Sequence, residues 1–126
     1  MDEYVYVFKT MGEPTRLRIL NLFIQEKNNE FCVCEIVDIL QESQYNISRH
    51  LRALVKAGLA TYNKQGKWSY YRLKENLDPF RENLLHSISS IPEEVFSADL
   101  ERLHQRLALR VDGKCVIGFG KNQSCT

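Results

Sequence analysis

The stretch from Phe31 to Leu73 constrains the rest of the chain more than any other. It reads FCVCEIVDIL, then QESQYNISRHLRALVKAG, then LATYNKQGKWSYYRL. From Ser43 onward, Ile47, Leu51, Leu54 and Val55 recur at the spacing of one helical face. The opposite face carries Tyr45, Ser48, Arg49 and Arg52, and Gly58 after Lys56-Ala57 supplies a stop. Upstream, Ile36, Ile39 and Leu40 form the apolar side of a shorter helix, from near Cys32 to near Leu40. Downstream, the turn Gln65-Gly66-Lys67 joins two runs rich in Tyr, Thr and Trp, the pattern of a β-hairpin.

Helix, short turn, helix and hairpin in that order predict a winged helix-turn-helix. This is a mainly α fold with a small β-hairpin, whose second helix approaches base edges in the major groove. The charge distribution agrees. Between Ser43 and Lys74 stand seven basic residues (Arg49, Arg52, Lys56, Lys64, Lys67, Arg72, Lys74) and no Asp or Glu. The remainder holds 10 basic and 16 acidic residues, so a net charge of only +1 conceals a concentrated basic block. Such a block on a helix and hairpin is the footprint of phosphate contact. The candidate DNA-contacting residues are Gln44, Tyr45, Ser48, Arg49, Arg52, Lys64 and Lys67, with His50 beside Arg49 facing either a phosphate or the edge of the helix.

At 126 residues and 44% apolar content the chain suits one domain with a modest core. Tyr4, Val7, Phe8 and Met11 mark a first helix from Asp2 to about Thr10. Pro14 opens a second, to about Glu26, with Leu17, Leu20, Phe23 and Ile24 directed inward. Ser43 or Asn46 caps the recognition helix. After the hairpin, Leu77-Asp78-Pro79 starts a helix striped by Phe80, Leu84, Leu85, Ile88 and Ile91, which Pro92 stops. A last helix, rich in Leu and Arg, runs to Arg110 with Leu100, Leu103 and Leu107 on one side. The chain therefore divides into a domain over 1–110 and an extended or loose tail over 111–126. No apolar run approaches the ~20 residues of a membrane span, and MDEYVYVF has neither a basic region nor a cleavage site. The expected location is the cytoplasm, with no membrane partner. There is no C-x-x-C, no Gly-rich phosphate loop and no Ser/His/Asp arrangement to suggest an enzyme.

GEPTRLRIL at 12–20, CVCEI at 32–36, SQYNISRHLRALVKAGL at 43–59 and GKWSYYRL at 66–73 resemble, in order, the signatures of the arsenic-repressor (ArsR/SmtB) family. The resemblance covers about Phe8 to Leu73. It implies a homodimeric repressor that binds double-stranded operator DNA without a cofactor and leaves it when an inducer binds. It also implies a dimer interface of N- and C-terminal helices, which suits the stripes at Tyr4/Val7/Phe8/Met11 and Phe80/Leu84/Ile88.

The cysteines are Cys32, Cys34, Cys115 and Cys125. In a cytosolic chain structural disulfides are not expected, and metal binding or redox sensing comes first. Cys32-Val33-Cys34 matches the thiolate pair of many family members, and thiolates select thiophilic ions. A helix N-terminus favours the thiolate form. Residues i and i+2 of a regular helix point about 200° apart, so joint binding by Cys32 and Cys34 is expected to distort the first turn. A third cysteine on this helix, as some arsenic sensors have, is absent, since position 37 is Val37. Arsenite or antimonite would then draw its third thiolate from Cys115, Cys125 or another subunit. Cys115 is favoured because it adjoins an apolar segment. Cadmium or lead is an alternative inducer. Asp99, Glu101 and His104 in DLERLH form too poor a donor set for a zinc site. A thiol-oxidation-sensing repressor and a winged-helix module that binds protein instead of DNA are the remaining readings.

Overall fold

A computed structural model describes residues 1–116. The element order is α1 (Asp2–Met11), α2 (Pro14–Gln25), β1 (Phe31–Cys32), α3 (Val33–Leu40), α4 (Gln44–Lys56), β2 (Ala60–Gln65), β3 (Trp68–Leu73), α5 (Pro79–Ser89), a 3-10 turn (Glu93–Phe96) and α6 (Ser97–Leu107). This is the mainly helical winged helix-turn-helix predicted, with one addition. β1 pairs antiparallel with β3, Phe31 opposite Tyr71 and Cys32 opposite Tyr70, giving a three-stranded sheet in the order β1-β3-β2. Two residues are too short to show an alternation, so the strand leaves no periodic trace in the sequence.

Helix boundaries follow local chemistry. Pro14 and Pro79 occupy first-turn positions where no N–H is needed, behind the caps Glu13 and Asp78, whose carboxylates accept from the N–H groups of Thr15 and Arg81 at 3.0 Å each. Ser43 Oγ accepts from the Asn46 N–H at 3.1 Å and caps α4. Gln41 ends α3 in the left-handed region (φ 58°), and three residues separate α3 from α4. The hairpin turns on Gly66, whose φ of +65° suits the first position of a two-residue loop.

The core gathers around α2, which packs against α1, α3, α4, α5 and α6. Its inward residues are Ile19, Leu20, Leu22 and Phe23, facing Ile36, Ile39 and Leu40 of α3 and Ile47, Leu51 and Leu54 of α4. Leu17 and Ile24, expected inside, are only partly covered. Val7 and Ile88 serve this intrachain core, whereas Tyr4, Val5 and Phe8 stay exposed. The Phe80 ring meets Tyr4 and Phe8 edge-on at centroid distances of 4.9 and 5.4 Å. Phe8, Met11, Leu17, Leu84, Ile88 and Ile91 line an apolar depression of about 260 Å³ beside them.

The C-terminal part differs most from expectation. α6 stops at Leu107, and Arg110 lies in a turn beyond it. Val111 and Lys114 then bridge each other, with Asp112 and Gly113 left-handed between them, and Cys115 returns to the interior at 2% exposure. Residues 110–116 thus form a strap folded back on the sheet. The rest of the predicted tail, Cys125 included, lies outside the described residues.

Gly58 combines a φ of +75° with close packing: a Cβ there would stand 3.0 Å from Arg81 Nε. At Gly66 the same sign of φ faces open space. Gly58→Ala should therefore cost about 1–3 kcal/mol and lower the melting temperature by several degrees, more than Gly66→Ala does. Thermal unfolding followed by circular dichroism measures both.

Candidate nucleic-acid interface and thiol site

The buried side of α4 is Ile47, His50, Leu51 and Leu54. The outer side presents Tyr45 (69% exposed) with exposed Arg49, Arg52 and Lys56, while Gln44 and Ser48 are half-buried at its edge. Lys64 and Lys67 are exposed on the hairpin, Lys67 Nζ lying 5.1 Å from the Trp68 ring centroid. A concavity of about 740 Å³ between helix and hairpin is lined by Ser48, Arg52, Lys56, Tyr62, Lys64 and Tyr71, among others, and by no carboxylate of the described residues. The Tyr62 and Tyr71 rings lie side by side along it, 5.2 Å apart. Seven of the eight candidate DNA-contacting residues thus border one surface.

His50 is the exception. It is 3% exposed, and its Nδ1 accepts a hydrogen bond from Arg16 Nε at 3.0 Å. Its Nε2 lies 4.0 Å from Glu13 and 3.4 Å from Arg49 Nη2. Burial lowers its pKa; the nearby Glu13 opposes, and Arg49 and Arg16 reinforce the drop. His50 follows Ile47 by three residues, which turns it inward, where it braces α4 against α2 and does not face a phosphate.

The cysteines lie behind the wing. Cys32 ends β1 and caps α3 in an extended conformation (φ −80°, ψ 162°), outside the regular helix. The expected opposition of residues i and i+2 across a helical turn therefore does not apply. Cys115 reaches the same place from the strap, its backbone N–H donating to Tyr70 Oη at 3.1 Å. The sulfurs of Cys32 and Cys115 and a carboxylate oxygen of Glu35 lie within 4.8 Å of one another, all three residues buried. Arg106 Nη2 stands 4.0 Å from the Cys115 sulfur and places positive charge beside it. The Cys32 thiol has its pKa pushed well above the ordinary range, first by its hydrogen bond with Cys115, then by burial and by the Glu35 charge. This reverses the expectation from helix position: at a fully buried cap these effects exceed the favourable helix dipole.

Cys32 and Cys115 are both in the thiol form and hydrogen-bond each other. Cys34, buried in the first turn of α3, is disulfide-bonded and stands outside the trio, where a structural disulfide was not expected.

Glu35 was not foreseen as part of this site. It accepts from the Cys32 N–H at 3.1 Å and from Arg110 at 2.6 and 2.8 Å. Its sequence signal is the spacing of a capping box, N-cap to N3, with cysteine in the serine position. Burial works against the Arg110 charge, but the bonded Glu35 carboxylate outweighs it and raises the Arg110 pKa. Arg110 also donates to the Glu30 carbonyl, and Lys114 to Gln65 of the wing. Further along α3, Arg106 Nε meets Asp38 at 2.8 Å and Arg102 Nε meets the Ile39 carbonyl at 2.5 Å. Asp99 is held by Arg18 at 2.8 Å and Arg102 at 3.1 Å, and His104 is exposed.

Residues 13–62 match the family model for bacterial regulatory proteins of the arsR family. The arsenical resistance operon repressor of Escherichia coli K12 is 33% identical over 99 residues, 79% of this chain and 83% of that one. The cadmium resistance regulatory protein CadC homolog of Staphylococcus aureus is 38% identical over 69 residues, 55% of each chain. Among solved structures, the homodimeric winged helix-turn-helix domain of Mb0332 from Mycobacterium bovis, a possible ArsR-family regulator, superposes with a TM-score of 0.60 at 26% identity, covering 74% of this chain and 81% of that one. No helix among the described residues is long and apolar enough to cross a membrane. With a third of its residues shared across four-fifths of a relative's length, on the fold described above, the chain belongs to the arsR family of bacterial regulatory proteins.

Proposed function

We propose that the chain is a homodimeric transcriptional repressor that releases operator DNA when a thiophilic ion, arsenite or antimonite foremost, binds its cysteine thiolates. The observation that carries this reading is the meeting of Cys32 and Cys115 in a buried cluster directly behind the hairpin. The name of the E. coli relative supports the ion class, and the homodimeric M. bovis domain supports the assembly. The exposed aromatic face of α1, with Phe80 and the apolar depression beside it, supplies the dimer contact. Gln44, Tyr45, Ser48 and Arg49 approach base edges, while Arg52, Lys64 and Lys67 contact phosphates. In the reduced protein Cys34 adds a thiolate for trivalent arsenic, and the strap carries the response to the wing through Tyr70 and Gln65.

A divalent ion, cadmium or lead, is the second reading, and Glu35 favours it. Two thiolates, one carboxylate and the Arg110 cation balance a 2+ charge, so the pocket is neutral before and after loading. Arsenite makes no such demand. As(OH)₃ and two thiols yield (RS)₂AsOH and two waters, with no charge change and no proton released.

The two chemistries separate by pH. A divalent ion must expel two protons from the thiol pair, whose Cys32 member resists losing its own. Its apparent affinity should climb between pH 6 and 8 by up to about a hundredfold per unit. Arsenite affinity should stay nearly flat. Titrating each ion against the reduced protein at several pH values distinguishes them.

Cys32→Ser and Cys115→Ser should each leave a dimer that binds DNA but no longer releases it on adding ion, read by fluorescence anisotropy in reductant. Cys34→Ser should impair the response to arsenite more than the response to cadmium or lead, because trivalent arsenic uses the third thiolate. Release by Cys32→Ser at the wild-type ion concentration would move the trigger elsewhere.

Operator affinity should fall steeply with salt, by about 0.9 log unit per phosphate contact per log unit of salt. Lys67→Ala should weaken binding to all sequences alike and reduce the slope by about that amount. An unchanged slope removes the hairpin from the contact surface.

A further inference from the structure

α4 is anchored at its C-terminal end by one side chain from another helix. Arg81, in the first turn of α5, is only 9% exposed. Its Nε donates to the carbonyl of Ala57, the residue that ends α4, at 2.9 Å. Its Nη1 pairs with Asp78, the cap of α5, at 2.7 Å, and its Nη2 with Glu3 of α1 at 3.1 Å. Gly58 stands against the same guanidinium, where a Cβ would crowd Nε at 3.0 Å. Lys56 Nζ, 5.1 Å from the Tyr6 ring centroid, adds a second tie between the last turn of α4 and α1. The residue before Arg81 is Phe80, whose ring packs on Tyr4 and Phe8. Adjacent residues of α5 thus face two ways, one to the exposed aromatic face of α1 and one to the end of α4.

We propose that Arg81 is a positioning residue for half-site geometry: it fixes the angle at which α4 leaves the dimer framework, and so the separation of operator half-sites that the dimer accepts. This rests on the dimeric DNA-binding reading above. A lever arm sets the size of the effect. The 13 residues of α4 span about 20 Å, and the base-reading end is the one far from Arg81. A tilt of about 10° at the anchored end moves the reading end by roughly 3.4 Å, one base-pair step. The planar fork ties the Ala57 carbonyl at the end of α4 to Glu3 of α1, while Asp78, the cap of its own helix, orients it; lysine, with a single charged centre, cannot satisfy all three in the same geometry.

The test uses the full chain, purified as a dimer, and duplexes carrying two half-sites at the preferred spacing or shifted by one and two base pairs, with a single half-site duplex as reference. The variants are Arg81→Met and Arg81→Lys, the second keeping the charge should the first fail to fold. Wild type should prefer one spacing. In the variants that preference should fall by at least about fivefold, the low end of what one mismatched base pair costs, with half-site affinity within about twofold of wild type. An undiminished spacing preference in folded Arg81→Lys overturns the proposal. So does an equal loss on every duplex, which assigns Arg81 to stability alone. A wild-type protein that gains nothing from a second half-site overturns the dimeric reading itself, a distinct result.

Discussion

The rest of the structure depends on keeping α3 inside it. Seven of its eight residues are buried, and the Glu35 carboxylate is fully enclosed. A buried carboxylate stripped of its partner costs about 3–5 kcal/mol, comparable to the whole stability of a small domain. Arg110 must therefore come back to it, and the chain after α6 has to turn where it does. The ties from the C-terminal part run antiparallel to α3: Arg102 at its last turn, Arg106 at Asp38 and Arg110 at Glu35. Arg18 of α2 closes the C-terminal end by donating to the Leu40 carbonyl at 2.8 Å. Since Glu35 also accepts the Cys32 N–H, the same carboxylate fixes β1 and, through β3, the wing.

That arrangement places the thiol pair where a small displacement has long reach. Cys32 belongs to the sheet and Cys115 to the strap, and Tyr70 touches both, by strand register and by its hydroxyl. On the proposed reading, thiolates drawn onto one ion pull the strap against the wing without passing through the turn between α3 and α4. The two halves of the candidate DNA-contacting surface, α4 and the hairpin, touch each other but have different ties to the rest of the chain. α4 is fixed by His50 on α2 and by Arg81 at its far end, whereas the hairpin is fixed by β1 and the strap. An inducer that acts on the strap alters the second half first. Linkage then requires operator DNA to weaken ion binding by the same factor.

Most of the fold was legible because its signals are local. Proline at first turns, serine and aspartate caps, the apolar face of α4 and the Gly66 turn each act within a few residues of themselves. Cys32 and Cys115 were legible as candidate ligands by residue type, and the basic block by its lack of acids. What stayed hidden was long-range. β1 is two residues long; the strap depends on a guanidinium finding a carboxylate on another helix; and Arg81 appears in sequence as one more surface arginine. His50 was left between a phosphate and the helix edge because its neighbour Arg49 is charged, although its own spacing from Ile47 and Leu54 already put it on the buried face.

The burial of the thiol pair also weighs between the ion and oxidation readings. Oxidants react with thiolate, and a thiol whose pKa is pushed up by a hydrogen bond, burial and a nearby carboxylate exposes little of it. Hard cations gain little from two neutral sulfurs, and Glu35 is already taken up by Arg110. A thiophilic ion is different, because the strength of its bonds to sulfur can drive the protons off or, for arsenite, turn its own hydroxides into water. On the proposed reading, the buried thiol pair therefore favours thiophilic ions over hard cations and oxidants. Cys34, disulfide-bonded in this structure, bears on the same comparison. On the proposed reading, Cys34 in that form offers no thiolate to trivalent arsenic, so reductant is expected to strengthen the response to arsenite.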